Sequence, residues 1–254
     1  MNISSADVAR DVDSVCVNSY LICASPRTGS TLLSSMLLDT AIAGQPFEFM
    51  HELSMREFFA RVGRPLELEE YVIFLKERRC SENGVFGFKA QYEQLGWMYP
   101  DVYVQCKFVK SFDRYVLVYR RNVLAQAISH YRAMLTGVWH EEAEADLAGG
   151  GVVAEQYDAI EIAKYLAADI SQPEAWRRLL RKCEADWLEI AYEDLIQDPA
   201  GILFRVMKYL DIEIDALPRA PSPRLRRQSD EVSRGWRERF VSELLGVPGG
   251  ALSR

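Results

Sequence analysis

Residues 20–33 read YLICASPRTGSTLL, and this stretch decides the fold. Its first five residues are apolar and β-prone, which predicts a short buried strand of a parallel sheet. A turn follows from Ser25 to Gly29, and Ser30 and Thr31 then begin a segment whose apolar residues recur at helical spacing. The stretch therefore predicts a strand, a loop and a helix in direct succession.

The predicted loop has the features of an anion-binding site. In a strand-loop-helix unit the loop amides and the helix N-terminus converge on one point and favour a negatively charged group there, most simply a phosphate. Gly29 lets the backbone approach a ligand closely, and Arg27 adds a fixed positive charge. Ser30 and Thr31 add hydroxyl donors. The alternative is an ordinary strand-to-helix turn that is rich in Ser and Thr.

The loop departs from the phosphate-cradling pattern of nucleotide hydrolases, GxxxxGK[ST]. Aligned with that pattern, Ala24 and Gly29 take the two glycine positions and Thr31 takes the Ser/Thr position. Ser30 takes the position of the lysine, so Arg27 is the cation of the loop. A γ-phosphate with its Mg²⁺ carries more charge than such a loop holds, which disfavours a kinase or an ATPase.

The loop resembles the 5′-phosphosulfate loop of the sulfotransferases, which reads like SPRTGST. The resemblance implies that the donor 3′-phosphoadenosine 5′-phosphosulfate is bound by Ser25, Pro26, Arg27, Thr28, Gly29, Ser30 and Thr31. Arg27 is also expected to act in catalysis by stabilising charge that develops on the transferred group. A sulfuryl group in flight is less charged than a phosphoryl group, so no metal is expected.

The segment from Gly44 to Met50 contains a candidate general base. Pro46 keeps Gln45 out of the helical region, so an extended or turn conformation is predicted. Glu48 lies between two aromatic residues, which are expected to raise its pKa towards the range of a general base. The alternative is a surface glutamate on a loop.

The same segment resembles Gly-Glu-Pro-x-Glu-Phe-Phe of the bacterial trehalose sulfotransferases. The second Glu of that pattern is the proposed base, and it falls on Glu48. The first Glu is replaced by Gln45, a substrate-binding candidate whose role cannot be carried over unchanged. Lys89 stands at the carboxyl end of the predicted strand 85–89, the edge where open α/β sheets bind ligands. The resemblance implies that Lys89 faces the sulfuryl group or the acceptor, and a solvated lysine is the alternative.

A second candidate phosphate site follows the strand predicted at 115–119. An arginine at a strand end and a serine in the next helix can grip one phosphate from two sides. Sulfotransferases hold the 3′-phosphate of the donor in this way, and Ser129 is the serine that fits. The nine-residue separation of the trehalose sulfotransferase pattern selects Arg120, which we favour, whereas the more usual eight selects Arg121.

The C-terminal region carries a cluster of arginines, seven of them between residues 219 and 239. A solvated basic helix is one interpretation, and a segment that folds over a donor with several negative charges is the other. In sulfotransferases a basic stretch near the C-terminus contacts the 3′-phosphate. Arg227 and Gln228 resemble the Arg-Gln of that stretch, which makes them donor-binding candidates.

The remaining pattern alternates strands and helices. Helices are predicted at 54–62, 67–79, 122–137, 153–168, 172–184, 200–210 and 232–244, and a further strand at 187–191. The strand continues into YEDL at 192–195, another sulfotransferase resemblance with an expected structural role. The unusually aromatic residues 91–110 either wall an acceptor pocket or pack into the core.

Composition limits the class of protein. The 254 residues form one predicted domain at 19–254, preceded by a flexible segment at 1–18. A net charge of −7 argues against a nucleic-acid partner. The first fifteen residues do not read as a signal peptide, no apolar run approaches membrane-spanning length, and five cysteines without CxxC spacing fit a reduced, cytoplasmic protein.

These signals occur in the order expected of a sulfotransferase. They predict an α/β fold with a central parallel sheet and helices on both faces, the P-loop NTPase-like sulfotransferase fold. The predicted function is transfer of a sulfuryl group from 3′-phosphoadenosine 5′-phosphosulfate to a hydroxyl of a carbohydrate or glycolipid. The alternatives are a P-loop kinase and a non-catalytic relative that binds a nucleotide or a carbohydrate. The resemblance also implies a homodimer.

Overall fold

A computed structural model describes residues 16–64, 66–139, 156–213 and 231–246. The strands in this part of the chain are β1 Asn18–Ala24, β2 Phe47–Glu48, β3 Val85–Gln91, β4 Arg114–Tyr119 and β5 Leu188–Ala191. The helices are α1 Ser30–Asp39, α2 Glu52–Val62, α3 Leu68–Arg79, α4 Tyr92–Met98, α5 Val102–Val109, α6 Val123–Thr136, α7 Ala159–Lys182, α8 Tyr192–Gln197, α9 Pro199–Tyr209 and α10 Glu231–Leu245.

The five strands form one parallel sheet in the order β2-β3-β1-β4-β5. The first strand of the chain is therefore central, with β3 on one side and β4 on the other. Residues 20–24 in this strand are completely buried, because a parallel sheet is covered on both faces. The predicted buried parallel strand is confirmed, and the loop that follows it opens at the carboxyl edge of the sheet.

Successive side chains of β1 point to opposite faces, and each face packs against helices. Leu21 and Cys23 belong to a core cluster that includes residues of α2, α3, α5 and the second half of α7. Tyr20 and Ile22 belong to a second cluster, which includes residues of α1, α8 and α9. The prediction of a central parallel sheet with helices on both faces is confirmed.

The chain divides into two compact units. One unit comprises Met1–Tyr119 and Gln172–Pro221 and contains the sheet. The other comprises Arg120–Ser171 and Ser222–Arg254, and its described core joins α6, the first half of α7 and α10 through residues such as Ile128, Ile162 and Trp236. The sequence-based division into a flexible segment at 1–18 and one domain at 19–254 stays a prediction.

The two helices predicted at 153–168 and 172–184 are a single helix, α7, which continues through Pro173. A proline inside a helix removes one backbone hydrogen bond and disfavours the turn before it. Tertiary packing compensates for this cost, because Trp176 one turn later is completely buried. Its indole N–H also donates to the carbonyl of Ala24, the last residue of β1, at 2.8 Å.

The aromatic stretch 91–110 contains two helices, α4 and α5. Leu95 and Phe108 are completely buried in the core, whereas Trp97 and Tyr103 are exposed. Part of this stretch therefore packs into the core, and the contact of its exposed residues with an acceptor stays a prediction.

Candidate active site

The loop between β1 and α1 has a defined backbone. Arg27 and Gly29 both adopt left-handed conformations, with φ of 62° and 82°. The hydroxyl of Thr28 donates to the carbonyl of Ser25 at 2.8 Å and closes the turn. A non-glycine residue in this region costs about 1–2 kcal/mol, so Arg27 is held there by the surrounding structure.

Gly29 is required for space as well as for backbone angle. A Cβ atom at this position would lie 2.5 Å from Cδ2 of Tyr192, the first residue of the YEDL segment. The aromatic ring therefore covers the outer side of the loop. This gives YEDL a structural role next to the proposed donor site, which its sequence pattern alone did not locate.

The start of α1 is suited to an anion. Gly29 is its N-cap residue and supplies no side-chain hydrogen bond, and the first turn contains no acidic residue. The first amides of a helix lack partners within the helix, and they carry partial positive charge. The side chains of Ser25, Thr28 and Ser30 are buried around this turn, so the loop presents amides and hydroxyl groups from a packed base.

Glu48 and Lys89 face each other across two strands. They are paired in register on β2 and β3, so their side chains point to the same face of the sheet. The Lys89 ammonium lies 3.2 Å from Oε2 of Glu48 and donates to Oγ1 of Thr31 at 3.3 Å. Lys89 is only 6% exposed. One buried cation thus connects the candidate base with the first turn of α1.

Two glutamine side chains complete the surroundings of Glu48. Gln91 donates from Nε2 to Oε2 at 3.1 Å, and Gln94 donates from Nε2 to Oε1 at 2.7 Å. A carboxylate has about four lone-pair sites. Described residues use two of them on Oε2 and one on Oε1. The remaining site, on Oε1, is where a further donor such as an alcohol can bind.

Gln91 and Gln94 were not predicted as site residues from the sequence. A signal was present, because residues two apart on a strand share a face and Gln91 follows Lys89 at that spacing. Gln94 lies in the first turn of the next helix, α4, close to the same strand end. An amide has no chemistry of its own that would single it out in a sequence, so its contact with Glu48 appears only in the fold.

The predicted direction of the Glu48 pKa shift is wrong. Burial raises the pKa of this carboxyl, but the Lys89 ammonium and the hydrogen bonds from Gln91 and Gln94 outweigh it, so the pKa is lowered. The two flanking aromatic residues have a different role. Phe49 is buried in the core against Phe47, Phe86 and Phe88, whereas the Glu48 carboxylate meets polar donors.

Gln45 lies on the segment that leads into β2. Its carbonyl accepts a hydrogen bond from the amide of Phe47 at 2.7 Å, which makes the tight turn that Pro46 predicts. The side chain is half-buried. The expected turn or extended conformation is confirmed, while the substrate contact of Gln45 stays a prediction.

The candidate residues for the 3′-phosphate lie in the other compact unit. Arg120 directly follows β4 and is half-buried, whereas Arg121 is exposed. Ser129 is half-buried on α6, between the buried residues Ile128 and His130. The position of Ser129 outside the core is as predicted, and the phosphate contacts themselves stay predictions. Arg227 and Gln228 lie outside the described residues, as do residues 140–155.

A buried hydrogen-bonded pair of side chains next to Ser129 was not predicted from the sequence. Nδ1 of His130 lies 3.1 Å from Oδ1 of Asp169, and both side chains are buried. The imidazole ring also contacts the ring of Tyr165, with ring centroids 4.6 Å apart. These contacts join α6 to the first half of α7, and they fix the turn of α6 that carries Ser129.

The described residues contain no group of three or more His, Cys, Asp or Glu side chains placed to hold a metal ion. No helix within the same ranges has the length and apolar character needed to cross a membrane. The expectation that no metal takes part rests on the chemistry of the sulfuryl group and stays a prediction.

Comparison with known proteins identifies the family. The family model described as Stf0 sulphotransferase matches residues 19–243. The chain is 27% identical to trehalose 2-sulfotransferase of Mycobacterium tuberculosis, with 91% of this chain and 98% of that protein aligned. It is 29% identical to trehalose 2-sulfotransferase of Mycolicibacterium smegmatis, with 87% and 93% aligned. A solved sulfotransferase from Alicyclobacillus acidocaldarius aligns with a TM-score of 0.49 at 12% identity, covering 92% of this chain and 97% of that one.

The family match extends from the first residues of β1 to the last helix, α10, and includes the loop, Glu48, Lys89 and the strand end at Arg120. It confirms the expectation of a sulfotransferase enzyme. Because far more than half of its length matches the family model, this chain belongs to the Stf0 sulphotransferase family.

Proposed function

We propose that this protein transfers the sulfuryl group of 3′-phosphoadenosine 5′-phosphosulfate to a hydroxyl group of a carbohydrate or glycolipid, with Glu48 as the general base. The observation that supports this most directly is the connected polar cluster of Thr31, Lys89 and Glu48. This cluster joins the first turn of α1 to the Glu48 carboxylate, which has one lone-pair site left for an alcohol.

Donor binding is assigned to two groups of residues. The loop from Ser25 to Thr31 surrounds the 5′-phosphosulfate with amides, hydroxyl groups and the Arg27 guanidinium. Arg120 and Ser129 hold the 3′-phosphate, with Arg121 as second choice. The half-buried position of Arg120 supports it over the exposed Arg121. Arg227 and Gln228 remain proposed donor contacts.

The chemical step follows from these positions. The acceptor hydroxyl donates its hydrogen bond to Oε1 of Glu48, and the carboxylate takes its proton as the oxygen attacks sulfur. The bond between sulfur and the bridging oxygen breaks in line with the attack, and adenosine 3′,5′-bisphosphate leaves. Arg27 and the amides near Gly29 stabilise the charge that develops on the sulfuryl and bridging oxygens. None of these proposed steps uses a metal ion.

The acceptor is proposed as a carbohydrate because two aligned relatives are named trehalose 2-sulfotransferase. Gln45 replaces a glutamate of the trehalose sulfotransferase pattern, so a neutral amide would contact the acceptor where a carboxylate does elsewhere. Trehalose is therefore one candidate among sugars. We further infer a cytoplasmic enzyme that does not bind nucleic acid and that acts as a homodimer.

A thermal-shift comparison followed by a transfer assay tests the proposal. Adenosine 3′,5′-bisphosphate is expected to raise the melting temperature, whereas ATP with Mg²⁺ is not. Labelled sulfate should then move from the donor to at least one sugar in a panel. Stabilisation by ATP with Mg²⁺ alone would favour a kinase. Stabilisation by the bisphosphate without transfer to any hydroxyl compound would favour a non-catalytic relative.

A further inference from the structure

The surroundings of Glu48 oppose its proposed role. A general base works best when its pKa lies near the operating pH. Lys89 and the two glutamine amides stabilise the ionised carboxylate and lower its pKa, which makes it a weaker base. The carboxylate is well oriented but weakly basic in this state, and a ligand that drew the ammonium away would strengthen it.

Lys89 is the group able to make that change. Its ammonium has three N–H donors, and described residues engage two of them, Glu48 and Thr31. The contact with Thr31, at 3.3 Å, is longer than a typical N–H···O hydrogen bond of about 2.9–3.0 Å. Thr31 belongs to the proposed phosphosulfate loop, so a sulfuryl oxygen bound there competes for the same ammonium.

The glutamine amides hold the carboxylate independently of Lys89. Gln91 and Gln94 are neutral, and each donates directly to Glu48. Their own Oε1 atoms are buried and have no hydrogen-bond partner among the described residues. The hydrogen bond from Nε2 to Glu48 is therefore the contact that holds each amide group. If Lys89 moves towards the donor, the carboxylate therefore keeps its orientation.

We propose that Lys89 couples occupancy of the donor loop to the strength of the base: a bound sulfuryl group draws the ammonium away from Glu48, and the carboxylate then accepts the alcohol proton. This inference rests on the proposed function. It makes Lys89 a positioning residue that acts through Glu48, and it implies that the donor binds before the acceptor. Without a sulfuryl group in place, Glu48 stays paired and weakly basic.

Among the described residues, Lys89 on β3 is the charged group that shifts the pKa of Glu48. The other side chains that face it are the neutral Gln91 on β3 and Gln94 on α4, and Thr31 faces the ammonium from α1. Because one cation dominates, removing its field raises the pKa of Glu48. The sulfated donor must then bind with uptake of protons at mildly acid pH.

Calorimetric titration of the intact protein tests this linkage. Donor binding is measured between pH 4.5 and 6 in two buffers with different ionisation enthalpies, which gives the number of protons taken up. The phosphate monoesters of both nucleotides also titrate, with a second pKa of about 6, so proton uptake is measured relative to Glu48→Gln, in which these protons cancel. On that scale we expect a fraction of a proton to be taken up with 3′-phosphoadenosine 5′-phosphosulfate and none with adenosine 3′,5′-bisphosphate, which lacks the sulfuryl group. Equal proton uptake for both nucleotides, each relative to Glu48→Gln, would overturn the coupling.

Substitutions at Lys89 and Gln94 show which residue causes the difference in proton uptake. Lys89→Met should abolish the difference in proton uptake between the two nucleotides, and Lys89→Arg should restore part of it. Gln94→Leu is the matched control, because it also removes one donor from Glu48 but leaves the ammonium in place, so the difference should persist. If Lys89→Met behaves like wild type, Lys89 is not the coupling residue.

Different results overturn the proposed function and the coupling through Lys89. If neither nucleotide binds, the proposed function falls and the coupling falls with it. If both bind with the same proton count, the proposed function stands and the coupling alone is wrong. The comparison of the two nucleotides uses wild-type protein and Glu48→Gln, so it decides the question even if Lys89→Met does not fold.

Discussion

Glu48 and Lys89 meet because they are paired in register on adjacent parallel strands, although 41 residues separate them in the chain. Parallel neighbours at the same register point to the same face, which places carboxylate and ammonium 3.2 Å apart. The residues beside Glu48 in sequence lie elsewhere, with Phe49 in the core. The electrostatic state of a strand residue thus depends on the next strand more than on its own flanks.

Replacing Glu48 by glutamine tests its role as the base. Glu48→Gln keeps the shape and one hydrogen-bond acceptor but removes the basic carboxylate. Turnover is expected to fall by about 10²–10⁴, with donor affinity nearly unchanged. Steady-state kinetics and calorimetry measure the two quantities. Turnover like that of the wild type would remove Glu48 from this role.

Arginine substitution at the end of β4 tests the 3′-phosphate site. Arg120→Ala should weaken donor binding by about 10- to 100-fold, the effect of losing a hydrogen bond to a charged group worth about 1.5–3 kcal/mol. Arg121→Ala is the matched control, since Arg121 is exposed and adjacent. Binding of adenosine 3′,5′-bisphosphate measures both variants. Unchanged affinity in Arg120→Ala together with a loss in Arg121→Ala would reverse the assignment.

At the scale of elements, the loop between β1 and α1 depends on the start of α8. The Tyr192 ring occupies the space that a side chain at Gly29 would need. The two elements are more than 160 residues apart in sequence, yet a side chain at position 29 would clash with this ring. Two separate causes therefore restrict position 29 to glycine: its left-handed backbone conformation and the space that the Tyr192 ring occupies.

Gly29→Ala should destabilise the protein by more than the backbone term of about 1–2 kcal/mol alone, because a clash with Tyr192 is added. Donor affinity should fall as the loop shifts. Chemical denaturation of Gly29→Ala, Tyr192→Ala and the double variant separates the two costs. The double variant should be relieved of the clash but should keep the cost of the left-handed backbone conformation. If the losses in free energy of unfolding of the two single variants simply add up in the double variant, the ring does not restrict this position.

Local patterns predicted the elements better than the contacts between them. The apolar run at 20–24, the turn at 25–29 and the helical spacing after Ser30 predicted β1, the loop and α1, because each depends on nearby residues. Two helices were predicted at 153–168 and 172–184 where the structure has the single helix α7, because the burial of Trp176, which holds the helix together past Pro173, is not visible in the sequence. Gln91 and Gln94 were missed because an amide acquires its role only through the carboxylate that it meets.

At the scale of the whole molecule, stability should depend on pH through carboxylates that the fold keeps ionised. Arg177 donates to Glu189 on β5 and lowers its pKa, as Lys89 and the glutamines do for Glu48. Both pKa values are lower in the folded protein than the ordinary value of about 4.3. Their ionised forms therefore stabilise the fold above that pH, and this contribution is lost as the pH falls through the folded-state pKa values.

Denaturant titrations between pH 3 and 7 measure this contribution. The free energy of unfolding of the wild type should decrease as the pH falls below about 4.5. The double variant Glu48→Gln/Glu189→Gln should be less stable at pH 7 and should lose less stability on acidification. Two parallel pH curves would show that neither carboxylate contributes to the pH dependence.

The hydrogen bond from Trp176 to Ala24 has a spectroscopic consequence. Its indole is shielded from solvent and is bonded to the last backbone carbonyl before the proposed phosphosulfate loop, whereas Trp97 and Trp139 are exposed. Trp236 is also buried, in the core that joins α6, α7 and α10. Indole emission responds to the local electric field, so a ligand that rearranges the loop changes the part of the blue-shifted fluorescence that Trp176 contributes. The protein thus contains its own optical reporter of that loop, which Trp176→Phe would silence.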